Sequence, residues 1–158
     1  MKIKSEQEMI EKGKAVAAAC PSDPAPKPHQ AKSSWSAEHI AATASPFVIE
    51  LIGDVGAGKT TFVRGLAKGL GIKEPVTSPS FTISKSYACP DGRQLIHYDF
   101  YRLGDPGLMA EDLQESLNDP KNIVVIEWSD SVKELLPENH TIINIKYNDD
   151  GSRELEIK

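Results

Sequence analysis

Hydrophobic positions along the chain follow patterns that predict an α/β core. Residues 47–52 and 122–126 are short, almost continuous apolar runs, which are typical of buried strands. After the first run, apolar residues recur near helical spacing at Phe62, Val63, Leu66 and Leu70. Gly71 stands where that helix would end. The pattern therefore predicts a strand, a glycine-rich connection and a helix, with a second buried strand later in the chain.

Two segments predict β-hairpins. Residues 80–100 and 141–158 each contain two β-prone runs separated by an Asp-Gly pair, which favours a tight hairpin turn. Between the hairpins, Asp105 followed by Pro106 predicts the start of a helix that runs to about Leu117, because Asp caps helices and Pro is tolerated at the first helical position. A short helix is expected near 132–136.

The N-terminal residues predict a helix and then a linker. Ser5 and Glu8 have the spacing of a capping box, which predicts a helix that ends before the first proline. Residues 20–36 are rich in proline, which favours an extended surface connection. Within this stretch, Trp35 is expected to dock on the core, and residues 37–44 are expected to form a short helix.

These elements predict a single domain in two parts. Residues 1–46 hold the N-terminal helix and the proline-rich linker, packed on the core or leading into it, and residues 47–158 form the core itself. Because strands and helices alternate around the glycine-rich loop before hairpins extend the sheet, the expected fold is a three-layer α/β sandwich with a mixed parallel and antiparallel central sheet.

Composition and charge exclude several classes. The chain has 158 residues, of which 39% are hydrophobic and 26% charged, as in an ordinary globular domain. The net charge of -5 argues against an extended surface for binding tRNA or other nucleic acid. With no long apolar run and no secretory signal, no membrane association is predicted and the cytoplasm is the expected location. Cys20 and Cys89 read as isolated, reduced thiols.

The glycine-rich connection carries a phosphate-binding motif. Residues 53–60, GDVGAGKT, match G-x-x-x-x-G-K-[ST] in full, in the strand-to-helix context that the motif requires. Its glycines allow backbone N–H groups to turn inward around an anion, and the helix N-terminus adds a positive field. We expect Lys59 to reach the β and γ phosphates and Thr60 to coordinate Mg²⁺. The predicted nucleotide-binding residues of this P-loop (Walker A) are Asp54, Val55, Gly56, Ala57, Gly58, Lys59, Thr60 and Thr61.

Two carboxylates are candidates for the metal and the chemistry. Asp99 and Glu127 each end an apolar strand, where α/β proteins bind their ligands. Glu127 is favoured for the metal shell together with Thr60, and Asp99 for positioning water or sensing the nucleotide. Lys59, Asp99 and Glu127 are therefore the predicted catalytic residues. The alternative for either carboxylate is an ordinary surface position at the end of a strand.

Missing motifs narrow the choice of activity. The chain contains neither Asn-Lys nor Thr-Lys, so it lacks the [NT]-K-x-D element that recognises guanine, and it lacks the signature of ABC ATPases. Small-molecule kinases usually close an arginine-bearing lid over the phosphoryl group, and few arginines lie outside the loop helix and the last strand. Three hypotheses remain: a slow ATPase that governs protein assembly, a small-molecule kinase, and a module that binds nucleotide without hydrolysing it.

Four blocks taken together resemble a known family. They are GDVGAGKTT at 53–61, VTSPSF at 76–81, HYDFYRL at 97–103 and IEWSD at 126–130, and they resemble the bacterial P-loop ATPase family TsaE, also called YjeE-like. The resemblance covers the chain from about Phe47 to its C-terminus. The proline-rich stretch at 20–36 is longer than the usual connection in that family, so the resemblance assigns no adenine contact there.

The resemblance implies a Mg²⁺-dependent protein that binds ATP, hydrolyses it slowly and is stimulated by its partners, TsaB and TsaD. In that family TsaD, with TsaB, transfers the threonylcarbamoyl group to adenosine in tRNA, so this chain would not itself be the transferase. Thr60 and Glu127 would be metal positions and Asp99 a catalytic carboxylate. Thr77 and Ser78, before Pro79, would form a switch-like turn, and Trp128 would lie beside the nucleotide. His97 is expected to be structural, and Tyr101 and Arg102 could face a partner.

Overall fold

The computed structural model describes residues 1–21, 45–101 and 103–158 of the chain. Three predictions lie outside the described residues: the docking of Trp35, the helix over 37–44 and a partner-facing role for Arg102. Most of the proline-rich stretch at 20–36 lies outside them as well.

The described residues form strands and helices in the predicted order. The strands are β1 (Lys2–Ile3), β2 (Phe47–Ile52), β3 (Ser84–Ala88), β4 (Gln94–Asp99), β5 (Asn122–Glu127), β6 (Thr141–Tyr147) and β7 (Arg153–Ile157). The helices are α1 (Glu6–Ala17), α2 (Lys59–Gly69), α3 (Leu108–Asn118) and a 3-10 helix (Ser129–Leu135). Both predicted buried strands, both hairpins and the helices predicted within the described ranges are confirmed.

All of these strands join one mixed sheet in the order β1-β7-β6-β2-β5-β4-β3. β5 is parallel to β2 and to β4, and β2 is also parallel to β6. The two hairpins, β3 with β4 and β6 with β7, are antiparallel. In the register of β4 and β5, Asp99 lies directly opposite Glu127. The sheet order therefore brings the two predicted strand-end carboxylates to one edge.

Helices cover both faces of the sheet, which confirms the three-layer sandwich. One apolar cluster joins α1 and α2 to the sheet through side chains that include Met9, Phe62 and Leu66. The other joins α3 and the 3-10 helix to the opposite face through Tyr98, Leu113 and Val132, among others. Successive residues of a strand point to opposite faces, so β4 contributes Leu95 to the first cluster and Ile96 to the second.

Helices α1 and α2 contact each other through glycine. A Cβ placed on Gly65 of α2 would lie 2.2 Å from the carbonyl oxygen of Ile10 in α1. A Cβ on Gly13 of α1 would lie 2.3 Å from the carbonyl oxygen of Phe62. The two backbones therefore approach more closely than any pair of side-chain-bearing residues would permit. This contact holds the N-terminal helix against the helix that follows the P-loop.

The helix ends explain one success and one error of the sequence predictions. Ser5 caps α1 by accepting a hydrogen bond from the backbone N–H of Glu8, as the capping box predicts. The prediction that α3 starts at Pro106 was wrong by two residues, because the helix begins at Leu108. Gly107 has a φ of 47° and breaks the helical path, while Asp105 accepts a hydrogen bond from the Gly107 N–H. The aspartate thus stabilises the turn before the helix.

The described residues bear on two expectations, which concern membrane-spanning helices and the two cysteines. In that part of the chain, no helix has the length and apolar character needed to span a membrane. Cys20 and Cys89 are both free thiols, as their isolation in the sequence predicts, and the structure shows in addition that both are buried.

Candidate functional site

The P-loop connects β2 to α2 in the geometry that an anion site requires. Gly56 and Gly58 have φ values of 81° and 108°, in the left-handed region that residues with a Cβ rarely adopt. Gly58 is the residue before α2, and no side chain caps the first turn of this helix. The N-terminus of α2 therefore presents its backbone N–H groups and positive dipole to the space in front of the loop.

Lys59 lies folded back over the loop. Its Nζ donates to the carbonyl oxygens of Gly53 and Asp54, at 2.8 and 3.1 Å. The same Nζ is 3.5 Å from Oε2 of Glu127 and 4.7 Å from the ring centre of Trp128. Only 5% of Lys59 is exposed, so this ammonium group is buried among acceptors and is directed to the centre of the site.

The two carboxylates lie side by side and have different partners. Glu127 is 3% exposed, and its Oε1 is 2.9 Å from Nε2 of His97. Asp99 is 4% exposed; its Oδ1 accepts from the backbone N–H of Tyr101 at 3.0 Å and its Oδ2 from Ser80 Oγ at 2.6 Å. Neither carboxylate is the ordinary surface residue that the alternative interpretation required. His97, which is expected to be structural, contacts the predicted metal ligand Glu127 through this hydrogen bond.

The segment after α2 is attached to the site by side chains. Ser78 Oγ lies 3.5 Å from Asp99 Oδ2 and 2.7 Å from Ser80 Oγ. Lys85 donates to Thr77 Oγ1 at 2.5 Å. The loop that contains Thr77, Ser78 and Ser80 is thus connected to a predicted catalytic carboxylate on one side and to strand β3 on the other.

These residues enclose a cavity of about 830 Å³ in front of the P-loop. Ten predicted site residues line it: Val55, Gly56, Gly58, Lys59, Thr60, Thr61, Ser78, Asp99, Glu127 and Trp128. Asp54, Ala57 and Thr77 do not line it. The Asp54 backbone instead accepts from Lys59, the Ala57 side chain is buried in the core and the Thr77 hydroxyl accepts from Lys85.

Sequence reasoning missed several residues of the cavity wall. Arg64, Ser80, Phe81 and Tyr101 also line it. Ser80 and Phe81 belong to the VTSPSF block that carries the resemblance, so that block could have indicated them. Tyr101 packs against Trp128 with ring centres 4.9 Å apart, which places this aromatic pair at the wall of the site.

A smaller cavity of about 270 Å³ adjoins the first and shares Gly56, Gly58, Thr61 and Arg64 with it. Its remaining walls come from both ends of the chain, as Ser5, Glu6 and Met9 near α1, and Arg153 at the start of β7. Arg153 Nε donates to the P-loop carbonyl of Ala57 at 3.1 Å. The Tyr147 hydroxyl donates to the carbonyl of Gly56. No local motif marks Arg153 or Tyr147, so the sequence alone did not indicate that they contact the P-loop.

The donor set fits a magnesium ion better than a metal held by protein alone. Within the described ranges, no group of three or more His, Cys, Asp or Glu side chains is arranged to hold a metal. Mg²⁺ usually binds one or two carboxylates and takes its other ligands from water and substrate phosphates. Thr60 and Glu127 line one cavity beside the P-loop, and a hydroxyl and a carboxylate are the kinds of oxygen ligand that such a partial set contains.

The sandwich, its mixed sheet and the P-loop between β2 and α2 define a P-loop protein of the α/β class. A model of the family described as "Threonylcarbamoyl adenosine biosynthesis protein TsaE" matches residues 3–155. The chain therefore belongs to the TsaE family, as the four sequence blocks predict.

Known proteins agree with this assignment. The chain is 43% identical to the tRNA threonylcarbamoyladenosine biosynthesis protein TsaE of Nostoc sp. over 114 residues, which cover 70% of this chain and 68% of the relative. It is 38% identical to TsaE of Haemophilus influenzae, with 73% and 72% covered. The crystal structure of YdiB from Bacillus subtilis matches with a TM-score of 0.64 and 31% identity, and the match covers 98% of this chain and 80% of that one.

Proposed function

We propose that the chain is a Mg²⁺-dependent ATP-binding protein that hydrolyses ATP slowly. It takes part in threonylcarbamoyladenosine biosynthesis on tRNA through nucleotide-dependent association with TsaB and TsaD. One observation carries the proposal: Lys59, Asp99 and Glu127 converge on a single cavity in front of the P-loop. The relatives named for this pathway support the biological part of the proposal.

The P-loop would hold the triphosphate. Its inward-facing N–H groups and the N-terminus of α2 suit the phosphate oxygens, and Lys59 adds a positive charge at the same point. In the described structure Lys59 donates to the loop carbonyls of Gly53 and Asp54, which would let it exchange a carbonyl for a phosphate oxygen by a small movement.

Thr60 and Glu127 would hold Mg²⁺ beside the β and γ phosphates. When bound there, the ion would neutralise charge that builds up on the phosphate oxygens during hydrolysis. Asp99, directly opposite Glu127 in the sheet register, would orient the water that attacks the γ phosphorus while the bond to the β–γ bridging oxygen breaks. The products would be ADP and inorganic phosphate.

The smaller cavity offers a place for the ribose and base. It continues from the P-loop between α1 and Arg153, and Met9 supplies an apolar wall. The absence of a guanine motif favours adenine. This placement would explain why residues near both termini contact the loop.

The segment with Thr77, Ser78 and Ser80 would respond to the nucleotide state. In the described structure, the hydroxyls of Ser80 and Ser78 donate hydrogen bonds to the Asp99 carboxylate. A γ phosphate or its metal beside Asp99 would compete for these hydroxyls and move the loop, as order and disorder of switch loops do in other P-loop proteins. Such a movement at the cavity rim would change the surface offered to TsaB and TsaD. The net charge of -5 suits a protein that acts on partner proteins and does not bind tRNA directly.

The first test is calorimetry with ATP and Mg²⁺. Wild-type protein should bind, and Lys59→Met should weaken binding by about 10- to 100-fold, because hydrogen bonds to charged groups are worth about 1.5–3 kcal/mol. Lys68→Met is the matched control, since Lys68 is an exposed lysine of the same helix and should leave affinity unchanged. No heat of binding from folded wild-type protein, or equal binding by Lys59→Met, would refute the proposal.

The second test separates the three activities. Labelled ATP should yield free phosphate at a low rate, faster when TsaB and TsaD are both present, and Asp99→Ala and Glu127→Ala should abolish the release. Transfer of the label to an added metabolite would instead identify a kinase. Binding with no hydrolysis under any condition would identify a nucleotide-binding module.

A further inference from the structure

We infer that His97 is a positioning residue for the metal site, which holds one oxygen of Glu127 so that the other faces the cavity. The inference rests on the proposed function, because it assigns a role toward Mg²⁺ and ATP. It concerns a residue that neither the P-loop motif nor the predicted ligand set includes.

His97 is placed for this role by the sheet. It is fully buried on β4, two residues before Asp99, and β4 runs parallel to β5, which ends at Glu127. The imidazole Nε2 lies 2.9 Å from Glu127 Oε1. This contact joins two buried side chains from neighbouring strands.

The surroundings of the ring decide which atom is the donor. Nδ1 of His97 is buried and has no hydrogen-bond partner among the described residues. A buried N–H without an acceptor is rarer in proteins than a buried acceptor with a free lone pair, so the proton belongs on Nε2. Nε2–H therefore donates to Glu127 Oε1, and that oxygen is occupied.

The hydrogen bond from His97 affects how closely the Glu127 carboxylate can approach Lys59. Its second oxygen, Oε2, is 3.5 Å from Lys59 Nζ, which is beyond a good hydrogen bond, while Lys59 donates to loop carbonyls at shorter distances. Without His97, the carboxylate could turn and form a short ion pair with Lys59. That pair would occupy both the predicted metal ligand and the predicted phosphate ligand. His97 thus limits the contact between Glu127 and Lys59 to the 3.5 Å ion pair and holds the carboxylate in place for the ion.

The experiment compares ATP affinity in Mg²⁺ with ATP affinity in EDTA by calorimetry. The dissociation constant of ATP in EDTA divided by that in Mg²⁺ measures the coupling between metal and nucleotide. His97→Leu should reduce this ratio by about 10- to 100-fold, the usual cost of losing a partner of a metal ligand. His97→Gln, which keeps an N–H donor near the Nε2 position, should recover most of the ratio, and the shorter His97→Asn should not. Thermal unfolding of each variant shows that it is folded.

A matched control is His140→Gln. His140 also lies against a carboxylate, with Nε2 3.0 Å from Glu50 Oε2, but it lines neither of the two cavities at the P-loop. It should keep the wild-type ratio.

Three outcomes would overturn the role of His97. In the first, the ratio is unchanged in His97→Leu. In the second, the ratio falls as far in His97→Gln as in His97→Asn. In the third, the ATP affinity of His97→Leu falls equally in Mg²⁺ and in EDTA, as general damage to the site would cause. Wild-type protein that binds no ATP, or binds it equally with and without Mg²⁺, would overturn the proposed function and this inference together. If His97→Leu does not fold, the ratios of His97→Gln and His97→Asn are compared instead, and equal ratios would overturn the role of His97.

Discussion

The glycine contact between α1 and α2 allows a substitution whose cost can be worked out from the structure. In Gly65→Ala, the new Cβ would lie 2.2 Å from the carbonyl oxygen and 2.8 Å from the Cα of Ile10. Ordinary van der Waals contact begins at about 3.4 Å, so the shortfall at the oxygen is about 1.2 Å. Both close atoms belong to the backbone, and no side-chain rotation can relieve the overlap. The two helices must separate or slide.

The expected loss follows from two opposing effects. Alanine improves helix propensity over glycine by about 1 kcal/mol. Overpacking a core costs about 1–3 kcal/mol, and a gap of about 0.5–1 Å removes a quarter to a half of each dispersion contact along the seam. Because whole helices must move, the upper end of that range applies, and the net loss should be about 2 kcal/mol. For a chain of this size that corresponds to a fall in Tm of about 4–8 °C.

The measurement is guanidinium and thermal unfolding followed by circular dichroism. Gly104→Ala is the control, because a Cβ on Gly104 would have no atom within 4 Å and its φ lies outside the left-handed region. It should change the free energy of unfolding by less than about 0.5 kcal/mol. If Gly65→Ala were as stable as the wild type and Gly104→Ala, the close helix contact and the reasoning built on it would be wrong.

Two further predictions concern buried ionisable groups away from the P-loop. Burial acts to raise the pKa of Glu50, but hydrogen bonds from Ser129 and His140 lower the pKa below its ordinary value of 4.5. The stability that the Glu50 carboxylate adds is present above that value and is lost as pH falls through the lowered pKa. In denaturant unfolding, the difference in free energy of unfolding between wild type and Glu50→Gln should therefore shrink below about pH 4.5. A difference that is independent of pH would contradict this. Burial raises the pKa of Cys20 to about 12 and also raises the pKa of Cys89. A thiol reagent should therefore label the native protein slowly and the unfolded protein fast, and rapid native labelling would count against burial of both thiols.

Local sequence patterns predicted the elements and the central motif well. The P-loop could be predicted because its glycines meet a local backbone requirement, seen in the left-handed φ values of Gly56 and Gly58. The hairpins could be predicted for a similar reason, since Asp-Gly turns and alternating strands are short-range features. The start of α3 was misplaced because Pro106 permitted a helix that Gly107 then delayed.

The contacts between distant residues needed the tertiary structure. Asp99 and Glu127 were candidates because each ends a strand, but only the parallel register of β4 and β5 places them opposite each other. The partners that distinguish them, Ser80 for Asp99 and His97 for Glu127, are side chains whose role no spacing reveals.

By itself, the sequence predicted a three-layer α/β sandwich with a P-loop, because propensity, periodicity and motif all depend on residues close together in the chain. Its four blocks resembled the TsaE family, to which the chain belongs. Only the tertiary structure decided which side chains surround the loop. Arg153 near the C-terminus reaches a P-loop carbonyl, and Gly13 of the N-terminal helix packs against the backbone of α2. Such contacts depend on strand order, register and the distance between packed helices, and these quantities are set by the burial of the whole core and not by any one segment.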